Sequence, residues 1–156
     1  MHMHRYERIW LIFGGATLIA FLAVLAVQTF ALGLAPPSDL GQACLDSPGE
    51  LAPPYNKPGV YKVSDNEYDV VMVAFAFGFQ PGTIEVPAGA KINFKATSKD
   101  VVHGIQIPGT NANMMVMPGH ANTVSHTFKE PGEYLIICNE YCGIGHQAMM
   151  GKVIVN

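Results

Sequence analysis

At 156 residues the chain has room for one domain of ordinary size and a segment outside it. Hydrophobic residues make up 49% and charged ones only 13%, against roughly 25% in soluble domains, which is too little charge for a freely soluble chain. With a net charge of −3 no nucleic-acid partner is expected.

The apolar excess begins at the N-terminus. From Ile9 to Ala35 no residue is charged, and only Thr17, Gln28 and Thr29 are clearly polar. About 20 apolar residues cross a bilayer as a helix, so 9–35 reads as a single transmembrane helix in a lipid bilayer. Arg5 and Arg8 precede it and the acids Asp39, Asp46 and Glu50 follow. That asymmetry expects residues 1–8 in the cytoplasm and the rest on the outer, extracytoplasmic side of the cell membrane. Trp10 stands where an interfacial aromatic belongs. A cleaved signal peptide is the alternative, but its apolar region runs to only about 7–15 residues. Ala16 and Ala20 form a small-xxx-small pair, weak evidence for a partner helix in so Ala-rich a segment.

Residues 36–58 read as a linker. Pro36, Pro37, Pro48, Pro53, Pro54 and Pro58 punctuate it without a sustained period, and such segments are semi-rigid spacers. Cys44 lies there, an odd thiol far from the other two.

Residues 59–156 read as an all-β domain. The continuous apolar run Tyr68 to Phe77 predicts a buried strand. Thr83 to Val86 follows a Pro81-Gly82 break. Lys91 to Ala96 alternates, with Ile92, Phe94 and Ala96 inward. Further strands are expected over His103–Ile107, Met114–Met117, Thr123–Phe128, Tyr134–Cys138 and Gly151–Val155. Turns at this regular spacing argue an antiparallel β-sandwich.

The chemistry concentrates between Cys138 and Met149, which hold two thiols, an imidazole and a thioether. Soft sulfur with imidazole suits copper, zinc or an iron–sulfur centre. Cys142, His146 and Met149 alone would be the Cys-His-Met end of a blue-copper site, completed by an upstream His. Cys138 adds one thiolate more than a single copper uses. Two thiolates from one loop can each bridge two metals, leaving each metal one His and one weaker ligand.

The pattern C-x-E-x-C-x-x-x-H-x-x-M resembles the dinuclear copper (CuA) site of subunit II of haem–copper oxygen reductases, the cytochrome c oxidases. The stretch Ala74-Phe75-Ala76-Phe77-Gly78-Phe79-Gln80-Pro81 and the short length are most similar to the B-type oxidases. The resemblance implies a cupredoxin-like Greek-key β-sandwich preceded by one transmembrane helix. It implies His103, Cys138, Cys142, His146, Met149 and the backbone carbonyl of Glu140 as copper ligands. Phe75 and Phe77, taken as alternating onto one strand face, are expected to cover the site as the electron-entry surface. The Glu140 side chain is expected to point toward subunit I, where it could meet a magnesium-class ion. The implied function is transfer of single electrons from a c-type cytochrome to a haem of subunit I, where oxygen is reduced to water. The chain would then be part of an enzyme without converting a substrate itself.

Other readings of the same residues stay open. A nitrous oxide reductase CuA domain shares the ligands, and a membrane-tethered copper carrier or storage cupredoxin shares the composition. A quinol oxidase subunit II would share the fold but typically lacks the ligands. Zinc could take Cys138, Cys142, His103 and His146 but leaves Met149 idle. A Cys138–Cys142 disulfide is permitted outside the cytoplasm, yet gives no reason for His146 and Met149. His2 and His4 read as a charged tip, His120 as an exposed turn residue and His126 as a hydrogen-bonded strand residue. Met114, Met115 and Met117 read as packing or as a partner contact, ahead of a copper-handling cluster. After the anchor seven Lys stand against eleven acids, a balance of −4 that would mildly steer a basic donor.

Overall fold

A computed structural model describes every residue except 1–2, 33, 35 and 43–49. Cys44 and His2 therefore lie outside the described residues. The chain forms two compact units, Met1–Ala35 and Pro36–Asn156.

The first unit is one helix, α1 (Arg5–Ala26), continued by a wider π-helical turn over Val27–Ala31. Together they give 27 residues, about 40 Å at 1.5 Å per residue, enough to cross a bilayer. No residue of it is buried by protein. Its polar Thr17 hydroxyl donates back to the carbonyls of Phe13 (3.1 Å) and Gly14 (2.9 Å), so it needs no water. The helix starts four residues before the expected Ile9, with Glu7 in its favourable first turn.

The second unit is a sandwich of two sheets. The strands are β1 (Ser38–Gln42), β2 (Gly59–Ser64), β3 (Glu67–Phe75), β4 (Gly78–Gln80), β5 (Thr83–Val86) and β6 (Lys91–Ser98). They continue as β7 (His103–Gln106), β8 (Asn113–Val116), β9 (His120–Thr127), β10 (Gly132–Ile137) and β11 (Met150–Val155). One sheet runs β1-β9-β6-β3-β2 with β4 on the end of β3, and the other β5-β11-β10-β7-β8. The expectation of a purely antiparallel sandwich is corrected: β3 pairs β6 and β5 pairs β11 in parallel. Between β3 and β6 the chain crosses to the other sheet through β5, and such a crossover permits parallel pairing.

The core explains the strand patterns. Ile92, Phe94 and Ala96 are buried on the inner face of β6, as their alternation predicts. On β3, Val70, Met72 and Ala74 enter the main core while Val71 and Val73 face a second cluster with Tyr55 and Ala121. Both faces of β3 are covered, which is why its apolar run is continuous.

Two expectations change here. The stretch read as a spacer supplies β1, which pairs with β9, and Tyr55, which is buried over β3. Its prolines mask the signal, because an edge strand tolerates interruption that a central strand does not. The strand expected to run to Phe77 ends at Phe75. Ala76 and Phe77 form a turn, and β4 folds back so that Phe75 pairs with Gly78.

Candidate metal centre

Each donor is positioned by a different piece of the fold. His103 opens β7 and is fully buried. Cys138 directly follows β10, and its N–H donates to the Met149 carbonyl at 3.3 Å, closing the loop between β10 and β11. Within that loop His146–Ala148 make one 3₁₀ turn, which brings His146 back toward Cys142. Cys138, Cys142 and Met149 are part of the main core cluster, so the loop packs as core rather than as surface.

The donor atoms converge. Cys138 Sγ lies 3.8 Å from Cys142 Sγ and 4.0 Å from His103 Nδ1. Cys142 Sγ lies 3.6 Å from His146 Nδ1 and 3.6 Å from Met149 Sδ. The Glu140 backbone carbonyl is 3.1 Å from Cys138 Sγ. Met149 is 2% exposed against 54% for Met150, so the chain turns only the first of the pair inward. His103, Cys138 and Cys142 alone bring three ligating atoms within 4.8 Å of one another.

These spacings test which group the residues fit. Donors bonded to one metal at about 2.0–2.3 Å stand roughly 3.5–4 Å apart, as these do. A disulfide needs about 2.05 Å between sulfurs, and both thiols are free. Burial, then the neighbouring Cys138, pushes the Cys142 thiol up to about 11. Two thiolates so close in an apolar setting need a cation between them. The donor set fits a soft, positively charged metal.

The sequence reading missed the residues that hold the donors. Asp100 Oδ1 accepts His103 Nε2–H at 2.8 Å, which leaves the lone pair of Nδ1 facing Cys138. The same carboxylate accepts the N–H groups of Val101 (2.7 Å) and Ala76 (2.7 Å). Burial would raise its pKa, but the bonds from His103, Ala76 and Val101 outweigh that and hold it below its ordinary value. The only signal in the sequence was an Asp three residues before the His.

Three glycines around the centre leave space that a side chain would fill. A Cβ on Gly104 would fall 1.8 Å from Asn139 Oδ1, so the residue after Cys138 seats directly on the residue after His103. Asn139 is held in turn by Nδ2–H donation to Asn113 Oδ1 at 3.0 Å. A Cβ on Gly145 would fall 2.5 Å from the Phe77 ring, and one on Gly143 3.1 Å from it. Phe77 thus lies over the loop between Cys142 and His146. Phe75 does not share that position: its ring packs against Gly78 and lines a cavity with Leu51, Tyr55, Lys99 and Asp100. The hairpin turn at 76–77 separates two rings that were expected on one face.

Two further histidines can be placed: His126 is hydrogen-bonded on its strand as expected, and His120, expected in a turn, is exposed but opens β9. His126 Nδ1 is 2.6 Å from Asn111 Oδ1 and packs edge-on to Phe128, and burial lowers its pKa. The Glu140 residue is exposed and borders a cavity of about 240 Å³ with Gly104, Asn139 and Met115.

The fold and the site can be set beside known proteins. The family described as "Cytochrome C oxidase subunit II, periplasmic domain" matches residues 78–156. A cytochrome c oxidase subunit 2 of Thermus thermophilus is 46% identical, the match covering 96% of this chain and 91% of that protein. A heme-copper oxidase subunit 2 of Aeropyrum pernix is 37% identical over 55% of this chain and 43% of its own length. A chain of a heme-copper terminal oxidase dimer superposes with a TM-score of 0.75 at 31% identity, covering 97% of this chain and 100% of that one. The periplasmic domain of subunit II of the Bradyrhizobium japonicum cytochrome oxidase has a TM-score of 0.53 at 18% identity, a likeness of fold over 62% of this chain and 87% of that one.

Proposed function

The chain belongs to the cytochrome c oxidase subunit II family, and from that premise we propose that it carries a dinuclear copper centre held by His103, Cys138, Glu140 (carbonyl), Cys142, His146 and Met149. It is the electron-transfer subunit of an oxidoreductase complex, the oxidase, and works with that complex's haem-containing subunit I. The observation that carries the copper assignment is duplication. Each thiol stands beside its own imidazole, Cys138 by His103 and Cys142 by His146, and the two sulfurs are 3.8 Å apart. A single zinc could use both pairs but would leave Met149 idle, whereas two sulfurs facing each other can bridge two metals and give every donor a use.

When bound, the copper pair supplies a one-electron redox change shared between two bridged metals. The chain's own residues make that change easy by holding still. His103 is fixed by Asp100, and the loop is closed by the Cys138–Met149 backbone bond and by Phe77 on Gly145. Fixed donors limit reorganisation as charge changes. The Met149 thioether and the Glu140 carbonyl are the weak ligands, and weak ligands tune potential more than they hold metal.

Electrons enter from a c-type cytochrome over Phe77, a residue 38% exposed whose ring also packs on the loop glycines. Phe75, on the neighbouring cavity wall, extends that entry surface. The acidic balance of the domain steers a basic donor. The Glu140 carboxylate, exposed beside the site, meets subunit I through a magnesium-class ion or a basic side chain, because a carboxylate buried at an interface without such a partner is costly. The helix anchors the chain in the membrane, with Arg5 and Arg8 inside and the copper domain outside.

Copper reconstitution of the full chain in detergent tests this. The expected result is two coppers per chain with a spin-resonance pattern shared by both, and Met149→Leu should keep both metals while shifting the potential. One copper per chain, or a pattern from one localised copper, would overturn it.

A further inference from the structure

Tyr55 is buried, 5% exposed, and its backbone N–H donates to the Ala52 carbonyl at 2.9 Å. Its hydroxyl makes no hydrogen bond to any described residue, although a buried phenol normally finds a partner. Among the described residues no fully enclosed side-chain nitrogen or oxygen lacks a partner, so this oxygen is not sealed in. It opens into a cavity of about 750 Å³ that Tyr55 lines. Burial raises the pKa of the phenol, so at neutral pH it is a hydroxyl able both to donate and to accept.

The fold sets the other walls. β3 presents Val73 and Phe75, two positions apart and so on one face, and β4 adds Gln80, paired opposite Val73. The stretch before β2 supplies Leu51 and Asn56 beside Tyr55. Leu51 and Tyr55 also pack with Val71 and Val73, and a turn closed by Lys57 N–H on the Pro54 carbonyl at 3.0 Å holds that stretch. The floor of the cavity is therefore core, formed before any ligand arrives. Its volume falls in the range of small-molecule sites, about 300–1,000 Å³.

Charge narrows the choice of ligand. The wall carries one cation, Lys99, and two carboxylates, Glu50 and Asp100. Asp100 is already engaged by the N–H groups of His103, Ala76 and Val101. One charge of each sign remains, which favours neither an anion nor a cation. Aromatic and aliphatic surface beside an unused hydroxyl and two side-chain amides suits a neutral ring that carries a hydroxyl of its own.

We propose that this cavity binds a small, neutral, hydroxylated aromatic molecule, its ring against Phe75 and Val73 and its hydroxyl bonded to Tyr55. The site lies outside the metal centre and meets it at one residue, since Asp100 on the cavity wall also holds His103. Binding needs no copper, so the site stands or falls separately from the dinuclear centre.

The test uses the full chain in detergent with 2-naphthol, whose fluorescence reports its surroundings, and with naphthalene and 2-naphthoate for comparison. 2-Naphthol should bind saturably, one per chain, above its partition into the same micelles. Tyr55→Phe should weaken it by about three- to tenfold, the range of one hydrogen bond, and leave naphthalene unchanged. The same change should leave the denaturant midpoint where it is, because the hydroxyl holds no other residue. Leu51→Trp, which fills the cavity from the side opposite β3, should abolish binding of both. No saturable binding would leave the cavity to water and overturn the site, as would equal binding of 2-naphthol after Tyr55→Phe. Tighter binding of 2-naphthoate than of 2-naphthol would overturn the neutral class. A lowered denaturant midpoint for Tyr55→Phe would give the hydroxyl a structural partner and overturn its role. Binding by the chain alone that vanishes in the assembled oxidase would mark the cavity as a subunit contact, and that too would overturn it.

Discussion

The two imidazoles of the centre are held in opposite ways. His103 is on a strand, fully buried, with its outer nitrogen bonded to Asp100 at 2.8 Å. His146 is on a single 3₁₀ turn of a loop, half-buried, tilted against the Tyr141 ring at 5.8 Å between centroids. Around it Tyr141 and Ile144 are 75% and 89% exposed. A strand in a packed sheet can fix a donor by itself, since its neighbours already determine the backbone. A loop cannot, and this one is fixed by being pressed under Phe77 through glycines. The pinned half faces the protein and the pressed half faces outward, where an electron partner can reach it.

The largest effect expected is at the clamp. Gly145 has φ −96°, a value any residue accepts, so glycine is there for space alone. Gly145→Ala drives a Cβ into the Phe77 ring and should destabilise the domain by about 1–3 kcal/mol, as overpacking does. It should also weaken copper retention on the His146 side. Pairing it with Phe77→Ala should recover much of the stability, a coupling that a double-mutant cycle reads directly. Phe77→Ala alone should slow electron entry more than Phe75→Ala, since only Phe77 touches the loop. If Gly145→Ala unfolds at the wild-type denaturant midpoint, the loop is not held this way.

Asp100→Asn probes the pinned half. With its oxygen at the Oδ1 position the amide can still accept from His103 and Val101, but it places an NH₂ where the Ala76 N–H points. Losses of roughly 10–100-fold in copper affinity are usual for such outer partners. The signature should be asymmetric: the magnetic coupling to the His103 nitrogen changes and that to His146 does not. Equal changes at both imidazoles would mean that Asp100 acts on the fold in general rather than on one ligand.

Glu140→Gln should have the smallest effect on the centre. Its backbone carbonyl survives the change, so the copper spectrum should be unaltered, while onward electron transfer to the haem or the metal content at the subunit I interface falls. A variant normal in both would show the carboxylate to be merely solvated.

How much of this could be read in advance depends on how local each feature is. The helix was legible because an uninterrupted apolar run of that length is long enough to cross a bilayer as a helix. The strands β5 to β11 were legible from period-two alternation and turn residues, with only their ends displaced. β1 and the burial of Tyr55 were not legible, because prolines and glycines conceal a short edge strand and the partner surface lies far along the chain.

The candidate donors were proposed from the sequence, and the structure brings their atoms within about 4 Å of one another in pairs. Cys138, Cys142, His146 and Met149 sit in one loop, and the resemblance supplied His103, so spacing carried most of the chemistry. Tertiary structure alone decided what holds them: Asp100 on His103, Asn139 seated on Gly104, and Phe77 on Gly145 while Phe75 turns away. These are contacts between residues dozens of positions apart, made by close approach of atoms, and close approach leaves no period or spacing to read. Donor chemistry is a property of side chains, which the sequence states outright; donor rigidity is a property of packing, which exists only once the two sheets have met.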